Sequence, residues 1–372
     1  SGSTFTVDDG TTTGTATTAY QLQGSGGLTK AGDGTLILRQ QNAYSGTITV
    51  SAGLLQASGT TMATAAAGII VQSGGALNLA GQLLTDLEAV TISGTGLTAT
   101  PAGAITNSTG TASYGGAITL AADSAVGGAG TLMTLSGVID DASGGFGLAK
   151  LGTGATTLSN TANTFTGTLS INAGTLTLAS LANSGSGSNG TGAIVFNNAA
   201  VAAILTYTGS GSGSMTGRGI SLLGSGGAVT INSNGTGALV FKGSNTNSIT
   251  ANTLLTLAGT FTGADNQMSG NLADNGTSVL SITKSGAGRW VLTGTNTYSG
   301  ATTISAGTLQ FSGGTALASA TAITLGGGTL SYLDDTAGEI DRTANTLTLT
   351  ATSTIDVGNN GGTTTGSVVR FG

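Results

Sequence analysis

One motif, written three times, limits what this chain can fold into more than any other feature. The first copy runs Lys30-Ala-Gly32-Asp-Gly34-Thr-Leu-Ile-Leu38, then Asn42-Ala-Tyr44-Ser45-Gly46-Thr-Ile-Thr-Val50-Ser-Ala52-Gly53-Leu-Leu55. The second runs Lys150-Leu-Gly152-Thr-Gly154-Ala-Thr-Thr-Leu158, then Asn163-Thr-Phe165-Thr166-Gly167-Thr-Leu-Ser-Ile171-Asn-Ala173-Gly174-Thr-Leu176. The third runs Lys284-Ser-Gly286-Ala-Gly288-Arg-Trp-Val-Leu292, then Asn296-Thr-Tyr298-Ser299-Gly300-Ala-Thr-Thr-Ile304-Ser-Ala306-Gly307-Thr-Leu309. The shared pattern is K-x-G-x-G-x-x-x-L followed by N-x-[YF]-[ST]-G-x-x-x-[IV]-x-A-G-x-L. Its glycine anchors, Gly46, Gly167 and Gly300, are 121 and 133 residues apart. Such self-similarity marks a repeat architecture, in which each unit buries its apolar face only against its neighbours.

Between the glycines the apolar residues alternate with threonine and serine, as in Thr47-Ile48-Thr49-Val50 and Leu176-Thr177-Leu178. A period of two is that of a strand whose residues point in and out by turns. Threonine suits the outward positions because its branched Cβ favours extended backbone. Glycine supplies positive φ at a corner. Proline, which occurs once in 372 residues, would break a ladder of backbone bonds. With 67 glycines and only 6 % charged residues the composition also raises the possibility of a disordered chain. Disorder goes with low hydrophobicity and high net charge, whereas here 38 % of residues are hydrophobic and the net charge is −6. The sequence therefore predicts an all-β solenoid.

The motif resembles the passenger-associated repeat of bacterial autotransporters, also called the autotransporter-associated β-strand repeat. Lys284 to Gln310 carries the closest likeness, and the other two copies are looser. The resemblance implies a right-handed parallel β-helix in an extracellular, cell-surface protein, and it implies no reaction. At about 20–25 residues per coil the chain makes roughly 15–18 coils. We expect one continuous solenoid over 1–372, with super-repeats at about 1–121, 122–254 and 255–372. The repeat positions Lys30, Gly32, Asn42, Tyr44, Gly46, Lys150, Gly152, Asn163, Phe165, Gly167, Lys284, Gly286, Asn296, Tyr298 and Gly300 are read as architectural. Each lysine is expected to lay its stem along the solenoid face, with its head in water or on a carbonyl. Each asparagine is expected to bond backbone at a turn, and each ring to cover the end of the core.

Little chemistry is on offer. With no His, no side chain can act as an imidazole base, and with no Cys, disulfides and thiolate sites are excluded. The carboxylate pairs Asp8-Asp9, Asp140-Asp141, Asp334-Asp335 and Glu339/Asp341 invite comparison with glycosidase dyads. Adjacent residues on a strand face opposite ways, so these pairs are read as corner formers. Loops 139–145 and 333–339 are weak calcium candidates, lacking any repeated G-G-x-G-x-D. We expect no enzyme, no cofactor and no metal. An acidic chain without a basic cluster is a poor nucleic-acid partner, and no run approaches about 18 apolar residues.

Two functions fit. The first is an extracellular filament subunit that assembles head to tail with copies of itself, since both termini read as strands without a cap. The alternative is the passenger stalk of an autotransporter-type adhesin, with host or cell-surface ligands as partners. A start at Ser1 suggests a removed signal peptide or a fragment. A polysaccharide-cleaving β-helix would need a carboxylate or arginine cluster in one groove. Ice binding would need T-x-T in every coil.

Overall fold

The computed structural model describes the chain apart from residues 1–4, 8–14, 18–22, 40–41, 63–66, 86–87, 183–188, 200, 211–212, 216, 314, 320, 334–338 and 359–367. The described residues form strands and turns and no helix. Every strand ladder among them is parallel, and the strands stack as a β-solenoid of about 13 turns. Two compact units divide the chain, one of residues 1–178 with 184–191, the other of 179–183 with 192–372.

In the first unit Phe5–Val7, Leu28–Lys30, Ile48–Val50, Ile69–Val71, Val90–Gly94 and the first residues of Ile118–Gly128 follow one another in a single ladder. Its register stacks Leu28, Ile48, Ile69, Val90, Ile118 and Ile139 into one inward column, each at most 3 % exposed. Between them Thr29, Thr49, Thr91 and Thr119 point outward and are half-buried, and Ile70 in the same outward column is exposed. A second ladder runs through Thr15–Thr17, Thr35–Arg39, Gly53–Ser58, Gly75–Asn78 and Ile105–Asn107.

In the second unit one ladder carries Ala203–Tyr207, Val229–Ser233, Thr253–Gly259, Leu280–Lys284, Thr302–Ile304, Ile323–Leu325 and Leu347–Leu349. Its outward column is almost all threonine: Thr230, Thr256, Thr283, Thr303, Thr324 and Thr348. Another ladder, from Gly213–Met215 to Thr354–Gly358, stacks Phe241, Met268, Leu292, Phe311 and Tyr332 in one inward column. Burying each such side chain stabilises by about 1.5–3 kcal/mol.

The turns are longer and fewer than expected, and their lengths are uneven. Ile282 pairs with Thr302, 20 residues on, but Leu255 pairs with Ile282, 27 on. Val90 pairs with Ile118, 28 on, because the loop 95–103 leaves the coil and returns where Gly103 N donates to Thr95 O at 2.9 Å. The ladder fixes which residues pair across coils, so length differences fall largely in the corners and loops between strands.

The A-G corner shows why glycine is required. Gly53, Gly174 and Gly307 have φ of +68°, +68° and +64°. A Cβ on Gly307 would stand 2.4 Å from Gly286 O and 2.6 Å from Gly288 O of the coil before. Gly276 also has a positive φ, +60°, but faces open space. Gly276→Ala therefore carries only the left-handed penalty of about 1–2 kcal/mol. Gly307→Ala adds overlap with fixed backbone and costs about 3 kcal/mol or more. Thermal unfolding followed by circular dichroism should show a far larger fall in Tm for Gly307→Ala; equal falls would refute the close-approach account.

Candidate functional site: a lysine caged by two coils

Each repeat lysine lies at an inward position, last in its strand at Lys30 and Lys284 and last but one at Lys150. Register places Lys284 in the column Leu205, Ile231, Leu257, Ile304, Leu325, and Lys30 in the column Val50, Val71, Ile92. The side chains are 2 %, 1 % and 0 % exposed at Lys30, Lys150 and Lys284. This corrects the expectation of a stem along the outer face with its head in water: the whole side chain is in the core, and only its carbonyl pairing agrees.

The three ammonium groups meet equivalent partners. Lys284 Nζ donates to Ser285 O at 2.7 Å, Gly286 O at 2.7 Å and Ala306 O at 3.1 Å. Lys150 Nζ donates to Leu151 O at 2.8 Å, Gly152 O at 2.8 Å and Ala173 O at 3.1 Å. Lys30 Nζ donates to Ala31 O, to Gly32 O at 2.7 Å and to Ala52 O at 3.3 Å. Two acceptors come from the lysine's own corner, where Gly32, Gly152 and Gly286 take φ of +69°, +71° and +69°. That left-handed step turns successive carbonyls toward one point. The third acceptor is the alanine of the A-G corner in the next coil. The glycine after it lies against the ammonium, since a Cβ on Gly307 would be 2.7 Å from Lys284 Nζ.

An ammonium uses all three of its donors in such a cage. Taking it out of water costs several kcal/mol, and hydrogen bonds to a charged group return about 1.5–3 kcal/mol each. The two are of similar size, so the cage tolerates the lysine without gaining much overall stability from it. Burial without a paired carboxylate pushes the Lys150 and Lys284 ammonium groups down to about 8.

The other repeat positions join coils in the same way. Asn42 donates to Met62 O at 2.8 Å. Asn163 accepts from Ile139 N at 2.9 Å and donates to Asn189 Oδ1 at 2.9 Å. Asn296 accepts from Leu272 N at 2.8 Å and donates to Ala316 O. Asn163 and Asn296 thus reach both the coil before and the coil after. Phe165 and Tyr298 are fully buried, and the Tyr298 hydroxyl lies 2.8 Å from Thr302 Oγ1. Burial pushes the Tyr298 phenol up to about 12. The Tyr44 side chain lies outside the described residues. Gly46, Gly167 and Gly300 pack on bare backbone of the previous coil, where a Cβ would stand 2.0–2.3 Å from main-chain atoms.

The sequence reading missed one element. In the second and third repeats the serine or threonine of the [ST]-G pair docks on an aspartate 25 residues earlier, Thr166 N on Asp141 Oδ2 at 2.9 Å and Ser299 N on Asp274 Oδ2 at 2.9 Å, whereas in the first Ser45 N donates to Gly24 O at 2.9 Å. Asp141 also accepts from Thr166 Oγ1, Ser143 N, Gly145 N and Phe146 N. Burial alone would raise its pKa, but these donors outweigh that and hold the carboxyl below the usual range. The equal spacing of 25 was the available signal. Asp141, read as a corner former and a weak calcium candidate, spends its oxygens on five protein donors. Asp140 bonds Ala142 N and Thr164 Oγ1. Asp8, Asp9, Asp334 and Asp335 lie outside the described residues, as do the side chains of Glu339 and Asp341.

A coil that stacks a buried lysine, an asparagine bridge and close glycine contacts on its neighbour is a repeat-built β-solenoid module. Residues 28–57, 148–188 and 282–311 match the family described as Passenger-associated-transport-repeat. The chain thus carries three passenger-associated-transport repeats, and the resemblance seen in its sequence holds. It is also 30 % identical over 306 residues to the Adhesin BmaC autotransporter of Brucella suis biovar 1 (strain 1330). That similarity covers 77 % of this chain and 8 % of the adhesin's length. No solved structure matches the chain significantly. Autotransporter passenger homology makes this a surface-exposed or secreted bacterial protein.

Two pH effects follow. Below about pH 8 the lysine burial cost is complete, because Lys150 and Lys284 are charged both folded and unfolded. From about 8 to the unfolded value of 10.5 the folded amines are neutral and the unfolded ones charged, so stability rises with pH. Above about 10 the unfolded tyrosines ionise while Tyr298 does not until about 12, and stability falls again. Urea titrations should give a stability maximum near pH 10; a monotonic fall from pH 8 would contradict neutralisation of the caged lysines. At the acid end, Asp141 stabilises above its unfolded value of about 4, and that contribution is lost as pH falls through its lowered folded pKa. Asp141→Asn should flatten this acid limb.

Proposed function

We propose that the chain is a non-catalytic solenoid segment of the passenger of an autotransporter-type adhesin, acting at the bacterial surface as part of the stalk. The similarity to the Brucella adhesin carries this reading, because it runs through 77 % of the chain and not through the repeats alone. It favours the stalk over the end-to-end filament, for which no comparison speaks. The internal chemistry is in keeping with a scaffold. The recurring lysines and asparagines and the pair Asp140-Asp141 bond backbone, and each of them also makes a bond to a neighbouring coil.

Host or cell-surface ligands are the partners this reading calls for. Beads coated with the purified chain, or with the chain fused into a surface-anchored passenger, should be scored for retention on host cells and matrix. Sedimentation velocity across a concentration series separates the two structural roles. A single species at all concentrations is expected of a stalk segment. Reversible growth into long polymers with rising concentration would overturn the proposal in favour of the filament.

A further inference from the structure

We infer that each cage is a primary-amine-binding site assembled by two successive coils, and that the N–H donors of its head group, not the aliphatic stem, hold the second coil's A-G corner on the first. The cage recurs with the same acceptors in all three repeats, although their coils differ elsewhere in sequence and length. Two carbonyls, such as Ser285 O and Gly286 O, belong to the lysine coil, and the third, Ala306 O, belongs to the next. Neither coil forms the site alone. Among the described residues no carboxylate is paired with Lys150 or Lys284, so the backbone carbonyls are what hold the nitrogen.

The neighbouring bonds tie the same two coils at the same place. Ser305 N and Ser305 Oγ both donate to Lys284 O, at 2.9 and 3.1 Å. In the first repeat Ser51 N and Ser51 Oγ do the same to Lys30 O, at 2.9 and 3.0 Å. In the second, Asn172 N donates to Lys150 O at 3.0 Å. Each lysine therefore holds the following coil through its carbonyl on one side and its ammonium on the other. Column neighbours Leu257 and Ile304 show that an aliphatic side chain fills the same core position, so packing alone does not call for lysine. What a hydrocarbon leaves is three carbonyls, turned inward by the left-handed corner and without a donor. Buried acceptors in that condition are unfavourable, and the corner that supplies the third one is free to swing out to water.

The test separates the head group from the stem. Lys284→Met keeps most of the apolar length and removes the ammonium. Amide hydrogen exchange of the full chain should then speed up about tenfold or more at Ser305, whose amide is bonded to Lys284 O, and less at Ser285, whose amide is bonded to Leu257 O of the preceding coil. Lys284→Ala leaves room for the missing three carbons and nitrogen, and n-propylammonium chloride should restore slow exchange at Ser305 in a saturable way. Tetramethylammonium chloride at equal ionic strength and propan-1-ol should not. Exchange in Lys284→Met within twofold of the parent would overturn the proposal, as would rescue of Lys284→Ala by propan-1-ol as complete as by propylammonium. Should Lys284→Ala fail to fold, Lys150→Met, read at the Asn172 amide, decides the question by the same twofold and tenfold criteria.

Discussion

In a parallel solenoid the backbone N–H and C=O groups of each strand point along the stack, toward the coils before and after. A coil therefore has no complete set of backbone bonds until its neighbours are in place. This dependence accounts for the regularity of the ladders. Leu28, Ile48, Ile69 and Val90 must fall in one column because the register that pairs their main chains also superimposes their side chains. A slip of one residue would turn Thr29 and Thr49 inward and the aliphatic residues outward. The same dependence leaves corners free to vary: beside the excursion at 95–103 the ladder shifts register between Ile92 and Gly94, while Val90 and Ile92 keep their columns.

The repeat motif concentrates polar groups where the stacking leaves work undone. Backbone at a corner cannot join the ladders, and at the K-x-G-x-G corner two carbonyls face the core. A lysine from inside satisfies them and reaches one more in the next coil. Asparagine serves the opposite corner, because its amide both donates and accepts and can bridge to coils on either side, as Asn163 does. Asp141 and Asp274 accept amides of the loop after them and of the following coil, tying the two together. A side chain standing in for a missing strand neighbour is the common theme, and it makes these buried polar residues structural although none of them is apolar.

Three repeats in a chain of about 13 turns mean that most coils stack without a caged lysine. Val50, Val71 and Ile92 occupy the lysine column in successive coils of the first unit. The cage is therefore a local feature placed on a general framework, and the framework rests on ladder bonds and columns of Leu, Ile and Val. A chain without cysteine has no disulfides to close its loops. Contacts between successive coils, apolar and polar, are then what keeps the stack together.

The sequence by itself determined the fold class, through the alternation of apolar and threonine residues. It determined the repeat and its family likeness through the spacing of lysine, glycine and asparagine. It also showed that Asn42, Asn163 and Asn296 bond backbone at turns, because asparagine carries few other roles in such a setting. It did not give the number of turns, because loop length is set by what a corner tolerates and leaves no period. Nor did it give the inward direction of Lys30, Lys150 and Lys284. A lysine at the end of a strand normally snorkels to water, and only the arrival of Ala52, Ala173 and Ala306 from the following coil completes an enclosure that holds its charge. The partner of the second and third [ST]-G pairs, 25 residues away in Asp141 and Asp274, was equally a matter of stacking. Local pattern fixes how a residue sits on its own strand, whereas the neighbour that satisfies it belongs to another coil, and its position depends on the length of the turn between them.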